Sequence, residues 1–306
     1  MRILLSGATG VVGRRLVPLL LAEGHKVTAL SRPGASAPAW PAGVSAAVGD
    51  LFDPPALARA VAGHDAVVNL ATHMPKTAFR MLFRRAWRAN DRIRREGAGN
   101  LAAAALAGGA TRFVQESFAL AYPDRGAAWI GEDTPLAPAR YNRTVLDAEA
   151  AAAHFAAADG RTGVALRFAA FYGPDAMQVR AYLDGLRKGF ALLPGAPDRF
   201  VSSIAHDDAA AAVAAALDAP SGAYNVVDDE PVTRAVYFGA LAEALGVPPP
   251  RFLPGWTTPL LGTAAPTLAR SLRISNRKLR AATGWRPRYP GVRQGWPATL
   301  AEMQPR

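Results

Sequence analysis

The stretch ILLSGATGVVGRRLVPLLLA, residues 3–22, decides the fold. Its first four residues, 3–6, form an apolar run of strand length, and residues 14–22 have the apolar spacing of a helix. Three glycines, Gly7, Gly10 and Gly13, lie in the short connection between the two. A strand joined to a helix by such a loop predicts a βα unit at the start of the chain.

The glycine spacing also predicts a ligand. Glycines are needed there for a tight turn, for close approach of the backbone to a pyrophosphate, and for packing of the helix on the strand. The first amides of the helix and its dipole then favour the phosphates. The alternative is a glycine-rich turn that binds nothing. The sequence favours a dinucleotide site formed by Gly7, Thr9, Gly10, Val11, Val12 and Gly13.

The residues after the second predicted strand, 26–30, indicate which dinucleotide is bound. An NAD-preferring site carries an acidic residue about 20 positions after the glycines, where it bonds the ribose 2′-hydroxyl. This chain has Ser31 and Arg32 instead. A hydroxyl and a guanidinium bind a 2′-phosphate, and Arg14 is a second candidate for that contact. The sequence therefore predicts NADP(H) in preference to NAD(H), unless Arg32 is only a surface turn residue.

Strand-like and helix-like segments alternate through the first half of the chain. Strands are predicted at 3–6, 26–30, 44–48, 66–70, 112–115 and 163–168, and helices at 14–22, 54–62 after an Asp53 cap, 79–106 and 141–158. This order predicts an α/β fold, a Rossmann-type doubly wound parallel sheet over residues 1–172. A later strand and helix at about 200–230 return to this domain. The remainder of 173–306 is expected to form a smaller C-terminal substrate-binding lobe.

Composition excludes several classes of protein. The chain contains no cysteine, which excludes disulfides, thiolate nucleophiles and cysteine-ligated zinc. The formal net charge is +11, and we attribute it to arginines on a solvated helix face rather than to nucleic-acid binding. The sequence shows neither a signal peptide nor an apolar run of membrane-spanning length. We therefore expect a cytoplasmic protein with neither a membrane nor a nucleic-acid partner.

A series of short motifs follows along the chain: Gly7-x-x-Gly10-x-x-Gly13, Gly49-Asp50-Leu51, Asn69-Leu70-Ala71, Tyr172-Gly173-Pro174, Tyr224-Asn225-Val226, Lys278-Leu279 and Gly284-Trp285-x-Pro287. Their order resembles the extended short-chain dehydrogenase/reductase superfamily, in its NAD(P)-dependent epimerase/dehydratase branch. The resemblance covers nearly the whole chain. It implies that Asp50 and Leu51 contact the adenine and that Leu70 and Ala71 line the nicotinamide side.

The resemblance also implies an altered active site. In that family a Ser or Thr orients the substrate, a Tyr transfers the proton, and a Lys four residues later lowers the pKa of the Tyr and holds the nicotinamide ribose. Tyr141 matches the tyrosine, but Val145 takes the lysine position and Phe118 takes the Ser/Thr position. Ser117 lies one residue too early, just after the expected end of the strand. Without a nearby cation a phenol is a poor base at neutral pH. We therefore expect Tyr141 to contact the cofactor and to act as a neutral proton donor.

Several other residues are candidates for the site or for an interface. His73 and Glu116 are further catalytic candidates, with a loop histidine and an anchor for a backbone amide as their alternative roles. The stripe of Phe79, Phe83 and Trp87 favours packing on the protein's own core, with a homodimer contact second and a membrane contact last. The clusters His206-Asp207-Asp208 and Asp228-Asp229-Glu230 are interpreted as helix caps, and no metal is expected.

The sequence thus predicts an NADP(H)-dependent oxidoreductase or epimerase-like enzyme. The expected substrate is a small or medium-sized carbonyl or alcohol. A nucleotide sugar is disfavoured because Phe118 makes the pocket apolar. Two alternatives stay open: a redox-silent NADP(H) sensor, and a redox-neutral isomerase, cyclase or lyase. It is also open whether residues 256–268 close over the substrate or contact a second subunit.

Overall fold

The computed structural model describes residues 1–34, 39–75, 83–261 and 264–303. The strands within these ranges, in chain order, are β1 (Arg2–Ser6), β2 (Lys26–Ser31), β3 (Val44–Val48), β4 (Ala66–Asn69), β5 (Arg112–Phe118), β6 (Trp129–Ile130), β7 (Thr162–Phe168), β8 (Ala170–Tyr172), β9 (Phe190–Ala191), β10 (Phe200–Val201), β11 (Ser203–Ala205), β12 (Gly222–Val226), β13 (Val232–Thr233), β14 (Arg251–Phe252) and β15 (Arg273–Ile274).

The α-helices of the described residues are α1 (Gly13–Ala22), α2 (Pro54–Val61), α3 (Arg88–Arg92), α4 (Ala98–Ala107), α5 (Val145–Ala156), α6 (Met177–Arg187), α7 (His206–Ala215), α8 (Arg234–Leu245), α9 (Ala265–Leu268), α10 (Arg277–Thr283) and α11 (Val292–Met303). Short 3₁₀ turns lie at Arg84–Trp87, Ala119–Ala121 and Gly255–Leu261, and a π turn lies at Ile93–Gly97. Among the described residues, none of these helices has the length and apolar character needed to cross a membrane.

Seven parallel strands in the described part of the chain form one sheet in the order β12-β7-β5-β4-β1-β2-β3. The order reverses between β1 and β4, where Ser6 lies beside Asn69 at the carboxyl ends of the two strands. This is the doubly wound Rossmann arrangement, and the predicted fold class is confirmed. In such sheets ligands bind in the crevice beyond the strand ends at the point of reversal.

Both faces of the sheet are covered because its strands are apolar on both sides, as buried parallel strands are. In β1, Ile3 and Leu5 pack in one core with residues of α1, α7 and α10. Leu4, between them, points into the opposite core with residues of α2, α4 and α5. The chain after Tyr172 adds a third core, built around Tyr237, Phe238 and Trp296, while β12 and α7 return to the main sheet.

Two predicted boundaries next to the site are wrong, and tertiary contacts explain both. The helix expected at 141–158 begins only at Val145, because residues 141–144 form turns. The Thr144 hydroxyl donates to Asp91 (3.0 Å) and the Tyr141 ring packs on Trp87, which holds this segment outside the helix. The strand expected to end at 115 continues to Phe118, because β7 pairs with it along its whole length.

The helix expected at 79–106 is only partly testable, because residues 76–82, including Phe79, lie outside the described range. From residue 84 the chain is helical to Ala107, but it passes through 3₁₀, α and π conformations in turn. A π turn accommodates an extra residue and rotates the faces of the helix that follow it. Side chains in this stretch therefore do not follow a single 3.6-residue period.

A buried polar network joins α5 to the centre of the sheet. The Arg167 guanidinium donates to both carboxylate oxygens of Glu149 at 2.8 Å each, through Nε and Nη2. Its Nη1 donates to the Tyr122 hydroxyl at 2.6 Å, and the Ser117 hydroxyl donates to Glu149 at 2.5 Å. Charge-assisted bonds of this kind are strong, and removing one partner leaves a buried charge unpaired.

We expect the substitution Arg167→Leu to lower the free energy of unfolding by about 2–4 kcal/mol, since it leaves the largely buried Glu149 carboxylate without its cation. Urea unfolding followed by circular dichroism measures this loss. Arg95→Leu is the matched control. Arg95 pairs with Asp147, which lies on α5 like Glu149, but both side chains of this pair are exposed. That change should cost less than about 1 kcal/mol. Equal losses in the two variants would contradict the assignment of the network as a stabilising centre.

Candidate active site

The glycine loop lies at the point where the strand order reverses. Gly7 has φ +83°, and a Cβ placed on it would lie 2.6 Å from the backbone of Leu70. A Cβ on Gly13 would lie 2.2 Å from the Gly7 carbonyl oxygen. Gly7 therefore lets the loop pass close to β4, and Gly13 lets α1 pack on the loop. Both positions require glycine for the reasons that the spacing predicts.

The same loop fits a dinucleotide phosphate. Thr9 and Gly10 are exposed at its tip, and neither a capping side chain nor an acidic residue occupies the first turn of α1. Backbone amides at an uncapped helix N-terminus are an anion-binding arrangement. Val11 is half-buried and Val12 buried, on the inner side of the loop.

At the adenine end, Ser31 and Arg32 follow one another where β2 ends. The Ser31 carbonyl accepts from Gly49 (2.9 Å), which brings β2 close to the Asp50 turn. Asp50 accepts from the amide of Phe52 (3.0 Å), and Leu51 is buried. Within the described residues the exposed Arg32 side chain makes no hydrogen bond or ion pair. Its guanidinium is therefore free to bind a phosphate.

Arg14, the second candidate for the 2′-phosphate, has a different partner. Its guanidinium forms an ion pair with Asp175. The neighbouring Arg15 pairs with Asp175 at 2.8 Å and with Asp207 at 2.6 Å. These contacts tie the start of α1 to the segment that leaves the sheet after β8. Arg14 is thus engaged by an acidic residue of the protein, whereas Arg32 has no such partner among the described residues.

The end of β4 is fixed by two asparagines. The Asn69 amide donates to Gln115 (2.8 Å), and its oxygen accepts from the amide of Ala71 (3.3 Å). The Asn90 oxygen accepts from the backbone of His73 (2.9 Å), but the His73 side chain is exposed. Leu70 and Ala71 are half-buried at the crevice. The structure therefore fixes the backbone of this loop and leaves the His73 imidazole in a solvent-facing position.

At the end of β5 successive side chains point to opposite faces. Ser117 is 1% exposed, and its hydroxyl is bonded to Glu149 on α5. Phe118 is half-buried, with the Arg94 guanidinium 5.9 Å from its ring centre. The expectation that the strand ends before Ser117 is therefore wrong, and the alternation of a strand applies at this point. Ser117 is held by α5, and the half-buried Phe118 packs against the cluster that contains Ala119, Leu120 and Tyr122.

Glu116 is buried, as a catalytic carboxylate would be, but it has a cation beside it. Arg94 donates to both of its oxygens, at 2.8 and 3.0 Å, and both side chains are almost fully buried. Glu116 is therefore paired with a side chain and does not anchor a backbone amide. Sequence reasoning missed Arg94, which stands in the π turn among arginines attributed to a solvated face. The signal was a carboxylate next to a strand predicted to be buried, because a buried carboxylate requires a cationic partner.

Tyr141 is enclosed by aromatic and aliphatic side chains. It is 4% exposed, and its ring centre lies 4.8 Å from that of Trp87. Burial raises the pKa of the Tyr141 hydroxyl, although its hydrogen bond with Thr267 acts in the opposite direction. Val145, at the first position of α5, is fully buried and carries no charge. The phenol therefore stays protonated at neutral pH.

The two acidic clusters do not cap helices with their side chains, so the capping interpretation is wrong. Asp207 and Asp208 do lie in the first turn of α7, where their charges complement the helix dipole. Helix α7 starts at His206 with Ala205 as its cap, and Asp208 accepts instead from the backbone amides of Arg288 and Tyr289. The cluster at 228–230 precedes β13, and Thr233 caps the helix that follows. Across the described ranges, groups of three potential metal-ligating side chains are absent.

Comparison with known proteins gives the family. A model of the NAD(P)H-binding family matches residues 7–220. The chain is 36% identical to the 3-diazoavenalumate denitrifying reductase of a Streptomyces species, over 96% of this chain and 99% of that protein. It is 30% identical to the 2-alkyl-3-oxoalkanoate reductase of Shewanella oneidensis, over 80% of this chain and 66% of that protein.

The fold has close structural counterparts. The crystal structure of the human epimerase family protein SDR39U1 with NADPH superposes with a TM-score of 0.82, covering 98% of this chain and 99% of that chain at 24% identity. The family match spans the glycine loop, β4, β5 and α5, which together form the crevice. The chain therefore belongs to the NAD(P)H-binding family, and it shares its fold with the human epimerase family protein.

Proposed function

We propose that this protein is an NADP(H)-dependent reductase that transfers a hydride to a small electrophile without a tyrosine–lysine proton relay. The observation that carries this proposal is the pair of replacements at the crevice, a fully buried Val145 and a half-buried Phe118. Both relatives described above are named reductases. NADPH, when bound, supplies a hydride from its nicotinamide ring.

The residues around the crevice select the kind of electrophile. Reduction of a carbonyl requires a proton for the developing alkoxide, usually from a positioned acid. Here Ser117 is engaged by Glu149, and Val145 provides no cation to lower the pKa of Tyr141. An aryl diazonium ion is already positively charged and accepts a hydride without protonation. Hydride addition gives a neutral diazene, which releases dinitrogen and leaves hydrogen on the ring.

The name of the Streptomyces relative supports this substrate class, because it describes a reductase that removes nitrogen from a diazo compound. The Phe118 ring is half-buried, and the rings of Trp87 and Tyr141 are buried against each other. We propose that these aromatic side chains favour an aromatic substrate. The buried Arg94–Glu116 pair keeps this region near electrical neutrality. We therefore propose small aromatic diazo or diazonium compounds as the substrates to test first.

A carbonyl substrate is the second candidate, supported by the Shewanella relative. In that case the protonated Tyr141 hydroxyl would donate directly to the carbonyl oxygen, as a neutral acid. The hydrogen bond between the Tyr141 hydroxyl and Thr267 would then have to break. The two candidates differ in whether the phenol takes part in the reaction.

The substitution Tyr141→Phe separates the two candidates. For a diazonium substrate we expect kcat/KM to change by less than about threefold, since the phenol donates no proton. For a carbonyl the loss of a general acid should lower kcat/KM by about 10²- to 10⁴-fold. NADPH oxidation followed at its nicotinamide absorbance measures both, with Tyr289→Phe as a control outside the crevice. A large loss on the diazonium substrate would refute the proposed relay-free transfer.

The preference for NADP(H) is tested by Arg32→Asp. Removing the guanidinium and adding a negative charge should weaken NADPH binding by about 10- to 100-fold, the value of one or two charge-assisted hydrogen bonds. NADH binding should change by less than about threefold. Titrations of nicotinamide fluorescence with each cofactor measure this, and Lys188→Asp, at an exposed site in the other lobe, controls for the change in net charge. A parallel loss for both cofactors would assign Arg32 a structural role only.

A further inference from the structure

Asn142 lies in the turn between Tyr141 and α5. Its backbone N–H donates to the backbone carbonyl of Ala139, and its backbone carbonyl accepts from the N–H of Val145, both at 3.1 Å. The second bond closes a turn of four residues, which places Asn142 beside Val145 at the start of the helix. Asn142 therefore lies next to the position at which the family resemblance implies a lysine.

The side chain of Asn142 is buried but has no partner. It is 1% exposed, and within the described residues neither its Nδ2 nor its Oδ1 makes a hydrogen bond. Other buried asparagines of the crevice and the sheet are bonded: Asn69 to Gln115, and Asn225 to the carbonyl of Ser275. A buried amide unsatisfied at both ends is rare in folded proteins and requires an explanation.

The neighbouring polar groups are already engaged. Thr144 donates to Asp91, and Arg94 is held by Glu116. The Tyr141 hydroxyl interacts with Thr267. Among the described residues of this turn, Asn142 is thus the side chain whose donor and acceptor both lack a protein partner. A carboxamide bonds well to a neutral group that also donates and accepts, such as the vicinal hydroxyls of a ribose.

We propose that Asn142 binds the nicotinamide ribose of NADP(H), in place of the lysine that Val145 replaces. The inference rests on the proposed NADP(H) binding and assigns a residue to the nicotinamide half of that site. An uncharged amide holds the ribose without placing a cation near Tyr141. In the family, one lysine both binds the ribose and lowers the pKa of the tyrosine. In this protein Asn142 would do only the first of these.

The substitution Asn142→Leu, which is close in size, tests the assignment in binding experiments without substrate. We expect the Kd for NADPH to rise about tenfold, the value of one or two hydrogen bonds. The Kd for adenosine 2′,5′-bisphosphate, which lacks the nicotinamide ribose, should stay within about twofold of the wild-type value. The Tm of the free variant should not fall, because no protein hydrogen bond of the side chain is lost. Calorimetry and thermal unfolding measure these quantities.

Asn276→Leu is the matched control, because its buried amide donates to the carbonyl of Val227 and to Asp229. It should lower the Tm and leave the ratio of the two dissociation constants unchanged. If Asn142→Leu does not fold, Asn142→Ala is used with the same expected ratio. An unchanged NADPH Kd in a folded Asn142 variant would overturn the assignment. If the wild-type protein binds neither NADPH nor the bisphosphate, the proposed function itself fails.

Discussion

Three elements at the carboxyl edge of the sheet meet at the carboxylate of Glu149. The Arg167 guanidinium of β7 and the Ser117 hydroxyl of β5 both donate to it, so α5 is fixed against the two strands it covers. This contact decides which face of β5 lies toward the helix. With Ser117 turned to Glu149, Phe118 is left beside the crevice, and the turn carrying Tyr141 is held at the start of α5.

The distribution of charge around the crevice follows from this arrangement. Two cations lie near the end of β5, and both are paired: Arg94 with Glu116 on the same strand and Arg167 with Glu149. Val145 adds none, and burial raises the pKa of Tyr141. A site of this kind provides positioning and an apolar surface but little acid–base catalysis. This is the basis on which we propose a hydride acceptor that is strongly electrophilic before it binds.

Local features of the sequence predicted the parts of the molecule that local chemistry controls. The positive φ of Gly7 and the close packing of Gly13 follow from the spacing of the glycines, and Asp53 caps α2 as its position before Pro54 implies. The seven-stranded sheet follows from the alternation of strands and helices. These predictions needed no knowledge of contacts between distant residues.

The features that the sequence did not predict depend on long-range contacts. The Arg94–Glu116 pair joins residues 22 positions apart, and the π turn displaces Arg94 from the face that a regular helix would give it. The start of α5 at Val145 depends on Thr144 binding Asp91 and on Tyr141 packing against Trp87. The pattern of hydrophobic residues does not show that the Asn142 side chain is buried without a hydrogen-bond partner. Each of these features lies at the candidate site, where the chain departs from its regular period.

Isotope effects on NADPH oxidation test the central claim, hydride transfer without a proton relay, most directly. The rate is measured with an aryl diazonium salt, using NADPH labelled with deuterium at C4 of the nicotinamide, in water and in deuterium oxide. We expect a primary isotope effect from the labelled cofactor and no solvent isotope effect on the same step. A solvent isotope effect that disappears in Tyr141→Phe would show a proton in flight from the phenol and would contradict relay-free hydride transfer.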